Sequence, residues 1–323
     1  MRDSIRSGIL GLAIADALGV PVEFRSRREL KADPVTGMRG YGTYNQPEGT
    51  WSDDTSMTLC VADSLAHGLD YDDMMERFRR WANGGEYTPF GQAFDIGGAT
   101  SRAVGRYCGG TEPLCCGGCG ERDCGNGSLM RALPVALYLY AKYGADADTG
   151  VYMEVVHQAS SLTHSHPRCH IACGIYTLAE VRLLAGDSLS EAVGQGTAQA
   201  AAYYANTAAY KEELGCFARL TDGTLATLAE DDIRSSGYVV DTLEAAFWCL
   251  LTTASYSECV LKAVNLGEDT DTVAAVAGGL AGLAYGESGI PREWLAALQN
   301  RGLVDAVCER LRDGLKHMQE NMD

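Results

Sequence analysis

The stretch TWSDDTSMTLCVADSL, residues 50–65, sets two aspartates side by side at the head of an apolar run. Asp53 and Asp54 repel each other, and neither is a good helix former. The residues behind them still keep helical spacing: Met57, Cys60, Val61 and Leu65 fall on one side, and Gly68 closes the run. The same form recurs along the chain. Ile5, Ile9, Leu12, Ala13 and Asp16 lie three to four apart, which brings Asp16 near a core face. DDMMERFRRWANG has Asp72 as a cap, and RALPVALYLYAKYG, ACGIYTLAEVRLLAG, DTLEAAFWCLLTTAS and DTVAAVAGGLAGLAYG are further helices. Alternating strand patterns are scarce. The reading is an all-α fold, a single compact domain of many packed helices over residues 1–323. Three Gly-, Pro- or Ser-rich stretches read as loops: KADPVTGMRGYGTYNQPEGTW, CGGTEPLCCGGCGERDCGNGS and TDGTLATLAEDDIRSS.

Composition narrows the class. The chain has 323 residues, 46% apolar and 21% charged, enough for a large core and far from a disordered composition. Twenty-six basic against 43 acidic residues give a formal charge of −17. That argues against binding a nucleic-acid backbone, which is done with Lys and Arg. The 12 cysteines read as reduced thiols, mostly small core residues. The N-terminus imitates a signal peptide, with Arg2 and Arg6 before GILGLAIADALGV, but Asp16 interrupts the apolar stretch. It reads as a first buried helix, with no membrane partner, and the default is a cytoplasmic enzyme.

A second acidic cluster answers the first. NLGEDTDTVAAVAGG places Asp269 and Asp271 beside Thr270 and Thr272, again a loop, two carboxylates, a hydroxyl and an apolar helix. Capping explains one aspartate per helix start, through free N–H groups and the macrodipole. It does not explain two. Hard divalent cations do: Mg²⁺ takes roughly six oxygens at about 2.1 Å. Carboxylates and hydroxyls from two helix starts can hold two such ions, with Mn²⁺ or Ca²⁺ fitting the same donors.

Seven segments then occur in one order: GLAIADALGVPVEF, WSDDTSM, FDIGGATSRAV, GNGSLMRALPVAL, THSHPRCHIACGIY, GYVVDTLEAAFWCLL and LGEDTDTVAAVAGGLAGLAYG. In these the chain resembles the ADP-ribosylglycohydrolase family, over nearly its whole length. The resemblance implies an all-helical hydrolase with two magnesium ions that cleaves the bond between C1 of an ADP-ribose ribose and an acceptor atom. It implies metal ligation by Ser52, Asp53 and Asp54, with Ser in place of the more common Thr, and by Asp269, Asp271 and Thr272. Glu23 matches an acidic residue near the reacting ribose, and Asp95 an aspartate linked to catalysis. Gly97, Gly98, Asn126, Gly127, Ser128, Met130 and Arg131 fall on ligand-facing loops, and His164 matches a histidine near the phosphates or the distal ribose.

That chemistry passes through an oxocarbenium-like transition state. Glu23 or Asp95 is expected to take a proton from water or give one to the leaving group. The diphosphate needs local positive potential: Gly-rich backbone at Gly97–Gly98 and Gly125–Gly127, and a helix opened by GNGSLMR, with Arg131 assisting. Tyr238 is a candidate for lining the ligand cleft, whereas Tyr203, Tyr204 and Tyr210 read as packing. His164, His166, His170, Cys169 and Cys173 have some zinc-ligand character, as does the CxxC of Cys116 and Cys119; free thiols are the other reading of the latter. A catalytically inactive ADP-ribose binder and a diphosphate-cleaving metal hydrolase stay open as alternatives. So does the acceptor on the ADP-ribosylated protein or small molecule.

Overall fold

In a computed structural model, residues 2–321 are described, and 69% of the chain is helical, with no sheet among these residues. The helices are α1 (Arg2–Gly19), α2 (Arg27–Ala32), α3 (Asp53–Leu65), α4 (Tyr71–Gly84), α5 (Gly98–Cys108), α6 (Leu133–Tyr143), α7 (Thr149–Ser161) and α8 (Pro167–Ala185). They continue with α9 (Leu189–Ala205), α10 (Ala208–Lys211), α11 (Ala218–Thr221), α12 (Val239–Leu251), α13 (Tyr256–Asn265), α14 (Thr270–Tyr285), α15 (Arg292–Ala297) and α16 (Arg301–Glu320).

Apolar all round, α1 is buried all round. Its stretch Asp3–Val22 is apolar and long enough to cross a membrane, yet 94% of that window is buried in protein. Helix α14 lies beside it, and glycines let the two backbones touch. A Cβ on Gly278 would sit 2.6 Å from the Gly11 carbonyl oxygen, and one on Gly282 would sit 2.2 Å from that of Ser7. Around this pair, α3 is buried along its whole length and α8 from Cys169 to Val181. Amphipathic helices form the outside: α4 turns Met74, Met75, Phe78 and Trp81 inward, and α16 turns Val304, Val307, Cys308, Leu311 and Leu315 inward.

The packing sets the site. Helix α1 ends at Gly19, where a Cβ would lie 2.3 Å from the Asp271 Cα, and Thr270 Oγ1 donates to the Gly19 carbonyl at 2.8 Å. One turn earlier, the Asp16 carboxylate accepts from the Ser52 and Thr55 backbone N–H groups and from Thr55 Oγ1 at 2.6 Å. The end of α1 thus holds the starts of both α3 and α14.

Glu180 in α8 is a buried acid outside the site. It is fully buried, and neither carboxyl oxygen has a hydrogen-bond partner among protein groups. The nearby Tyr176 hydroxyl donates instead to the Val276 carbonyl at 2.8 Å. Burial pushes the Glu180 carboxyl well above its usual range, so the folded protein keeps the proton while the unfolded chain releases it above pH ~4.5. The sign follows: this group favours the fold at low pH and disfavours it progressively as pH rises. Glu180→Met should therefore stabilise the protein at pH 8 by about 1–3 kcal/mol, and by less at pH 5. Urea unfolding at the two pH values measures it; an equal gain at both would overturn the assignment.

Candidate active site

The acidic clusters meet at the floor of a cleft of 410 Å³ whose lining includes Glu23, Asp53, Asp95, Asn126, His164, Asp269 and Thr272. Thr272 Oγ1 lies 3.3 Å from Asp54 Oδ2 across 218 positions of sequence, and Ser52 Oγ donates to the same oxygen at 3.1 Å. Carboxylate oxygens of Asp16, Asp54 and Asp271 lie within 4.8 Å of one another, and so do those of Glu23, Asp269 and Asp271.

Capping does not use up these acids. Helix α3 is capped by the Ser52 hydroxyl and by Asp16 from α1, while Asp269, the N-cap of α14, accepts no capping bond. The capping account of one aspartate per cluster therefore fails for Asp53, Asp54 and Asp269. Of the four, Asp271 is the one that accepts a backbone N–H at its own helix start, through Oδ1 from Thr272 at 2.9 Å. Asp54 Oδ1, Asp269 Oδ1 and Asp271 Oδ2 are buried without a protein partner. Buried carboxylates need partners, yet among the described residues no salt bridge reaches Asp16, Glu23, Asp53, Asp54, Asp95, Asp269 or Asp271. Burial, and then their mutual repulsion, holds the Asp53, Asp54 and Asp271 carboxyls well above the usual range; burial lifts Asp16 to about 6. Orphaned hard oxygens crowded at one point fit a divalent cation of the Mg²⁺, Mn²⁺ or Ca²⁺ kind.

Above the floor, Glu23 follows the 3₁₀ turn Val20–Val22 that extends α1. Burial, then the Asp95 charge, pushes its carboxyl up to about 9. Its neighbour Phe24 is left-handed (φ 65°), as are Asp95 (φ 57°) and Glu268 (φ 64°). Such strain in non-glycine residues persists only where surrounding contacts impose it. Here Phe24 N–H donates to the Glu268 carbonyl at 2.7 Å and Glu268 N–H to the Arg25 carbonyl at 2.8 Å. This clasp fixes Glu23 over the α14 start.

The opposite wall is suited to an anion. Helix α5 starts at Gly98, and its cap Gly97 makes no side-chain bond, so the first N–H groups face the cleft beside Arg102 and Arg122. His164 closes this wall. Arg131 can only donate, and does so to Thr163 Oγ1 at 2.7 Å; the same hydroxyl lies 2.7 Å from His164 Nδ1 and holds the ring in place. Burial holds the imidazole neutral, its pKa pulled down to about 3. A Cβ on Gly127 would lie 2.8 Å from His164 Cε1, so the turn needs glycine there. Asn126 Nδ2 donates to Thr242 Oγ1 and Asp269 Oδ2, both at 2.9 Å.

Several sequence expectations land elsewhere. Arg131 does not line the cleft: its guanidinium is buried in the core over Phe78 and also donates to the Ala159 carbonyl. Ser128 turns the same way, toward Ser160 and Cys173. The GNG turn opens no helix, because α6 begins later, at Leu133, behind a buried Ala132; the helix start at the cleft is that of α5. Tyr238 lines a neighbouring depression with Arg219, Asp241 and Glu244. Met130, Gly97 and Gly98 do line the cleft. The histidines and cysteines do not converge: His166 caps α8, His170 stacks on His157, and the two potential metal-binding groups among the described residues are purely acidic. Cys108, Cys115 and Cys119 are exposed, and all 12 cysteines are free. Sequence reasoning set Asp16 aside and passed over Tyr44, Arg102 and Arg122. An aspartate inside an apolar helix was a usable signal for the first; Tyr44 and Arg122 lie in loop-like segments without a pattern, and Arg102 lies within FDIGGATSRAV, where nothing in the residue itself marks it out.

Comparisons with known proteins agree with this fold. The family model for ADP-ribosylglycohydrolase matches residues 1–321. The ADP-ribosylarginine hydrolase Tri1 of Serratia proteamaculans is 33% identical, over 96% of this chain and 79% of that one. The ADP-ribosyl-[dinitrogen reductase] glycohydrolase of Rhodospirillum rubrum is 32% identical, over 98% and 96%. A solved structure of an ADP-ribosylglycohydrolase-related protein complex superposes with a TM-score of 0.77 at 31% identity, covering 98% of both chains. On a match that spans essentially the whole chain, this protein belongs to the ADP-ribosylglycohydrolase family, hydrolases that act on glycosyl bonds.

Proposed function

We propose that this enzyme is a Mg²⁺-dependent hydrolase that releases ADP-ribose from ADP-ribosylated arginine on a protein. The observation that carries the reading is the crowd of buried carboxyls with no cationic side chain among them, set beneath Glu23 and Asp95. Arginine is preferred as acceptor because relatives at 33% identity bear that name. Ser52, Asp53, Asp54, Asp269, Asp271 and Thr272 would hold the cations, two by the pairing of acidic groups, with Mn²⁺ as the nearest substitute; Asp16 keeps the first group in place. The cation supplies Lewis acidity there and offsets the acids' charge.

The chain does the rest. Glu23 and Asp95, at the edge of the floor, exchange a proton with the attacking water or the leaving nitrogen. The N–H groups at the start of α5 donate to the diphosphate beside His164, and Arg122 supplies local positive charge that a −17 protein otherwise lacks, Arg102 being paired with Asp123 at 2.7 Å. The free cysteines fit a reducing compartment, the cytoplasm. The test is release of free ADP-ribose from ADP-ribosylarginine. It should proceed with Mg²⁺, stop with EDTA and return when Mg²⁺ is restored. AMP as the product would replace this reading with diphosphate cleavage; release unaffected by EDTA would remove the cation.

A further inference from the structure

Tyr44 lies in the Gly-rich segment before Asp53, where no motif draws attention to it. It ends a 3₁₀ turn, Gly42–Tyr44, that is seated on the approach to Glu23. A Cβ on Gly42 would fall 1.9 Å from the Pro21 carbonyl oxygen, and Thr43 Oγ1 donates to the Glu23 carbonyl at 2.8 Å. The Tyr44 ring is held between Phe94 and Phe24, with centroids 5.1 and 6.5 Å away. Its hydroxyl therefore has a fixed place, and that place is between the two acids: 2.6 Å from Glu23 Oε2 and 2.5 Å from Asp95 Oδ1. A phenol offers one donor and accepts as well, so it can serve both carboxyls whichever of them carries a proton.

We infer that Tyr44 is a positioning residue that ties Glu23 and Asp95 into one unit. The inference rests on the assignment of those two acids to proton transfer. Contacts of 2.6 and 2.5 Å to one oxygen keep the bonded carboxyl oxygens within about 5 Å of each other. Two features reserve the hydroxyl for the acids. The ring is already packed by its aromatic neighbours, and the oxygen bonds to nothing else.

The experiment is Tyr44→Phe, which removes only the oxygen, crossed with Asp95→Asn and read as ADP-ribose release from ADP-ribosylarginine with Mg²⁺. Supporting groups of this kind are worth 10–100-fold. Tyr44→Phe should lower kcat by that factor, leave KM and the Mg²⁺ midpoint within threefold, and keep its thermal midpoint. In the Asp95→Asn background the same change should cost less than threefold, because the unit is already broken. A kcat within twofold of wild type overturns the inference. So does a loss that multiplies in full on Asp95→Asn, since that is what a merely structural tyrosine would give. If Glu23→Gln and Asp95→Asn alone both retain wild-type kcat, the assignment of the acids fails instead, and the two failures are told apart.

Discussion

Glu23→Gln should lower kcat by roughly 10²–10⁴-fold, about 3–5 kcal/mol of barrier. The exchange keeps the size and shape of the side chain and removes its ability to give and take a proton. Glu23 is suited to proton transfer by its place in the cleft lining beside Asp95, with the Tyr44 hydroxyl 2.6 Å from its Oε2. Its position leaves one competing explanation. Its oxygens are also grouped with those of Asp269 and Asp271, where they could bind the cation. A Mg²⁺ titration separates the two. If Glu23 moves protons, the loss in kcat persists at saturating Mg²⁺; if it is a ligand, excess Mg²⁺ restores the rate. A variant that keeps wild-type kcat at ordinary Mg²⁺ would remove Glu23 from the reaction altogether.

Gly19→Ala should cost at least 2–3 kcal/mol of stability, at roughly the upper end of overpacking effects, and should abolish activity. Intrinsic preference argues the other way. Gly19 has helical angles (φ −80°, ψ −39°), where alanine is favoured by roughly 0.5–1 kcal/mol. Packing decides, because the added methyl would lie 2.3 Å from the Asp271 Cα, 2.4 Å from its N and 2.6 Å from the Thr270 carbonyl carbon. These are backbone atoms that no rotamer change can clear, so α14 has to slide off α1. The residue that moves first is Asp271, and with it the acidic floor. Urea unfolding and Mg²⁺ calorimetry follow the two losses. Gly194→Ala is the control, within α9 and with nothing within 4 Å of the added carbon; it should be neutral or slightly stabilising. If Gly19→Ala behaves like Gly194→Ala, the close seam between α1 and α14 does not exist in solution.

The helices and the two acidic knots were legible because their signals are local. Met57, Cys60, Val61 and Leu65 report one helix face within a few turns, and Asp53–Asp54 and Asp269–Asp271 stand out at the head of apolar runs. Arg131 was misread for the same reason. Its motif put it on a ligand-facing loop, but the direction of its side chain is settled by Phe78, Ala159 and Thr163, which are remote in sequence. From there it reaches the cleft at one remove, through the Thr163 hydroxyl to His164.

Periodicity, caps and acidic pairs, read from the sequence alone, were enough to determine an all-helical protein with two carboxylate-rich helix starts, since each depends on residues within a turn or two of one another. Only the tertiary structure decided that those starts face each other, that Asp16 caps α3 from another helix, and that the Tyr44 hydroxyl stands between Glu23 and Asp95. Each of those facts depends on where two backbones can approach. That distance is set by missing side chains at Gly11, Gly19, Gly42, Gly278 and Gly282, and no local pattern states what a glycine will lie against.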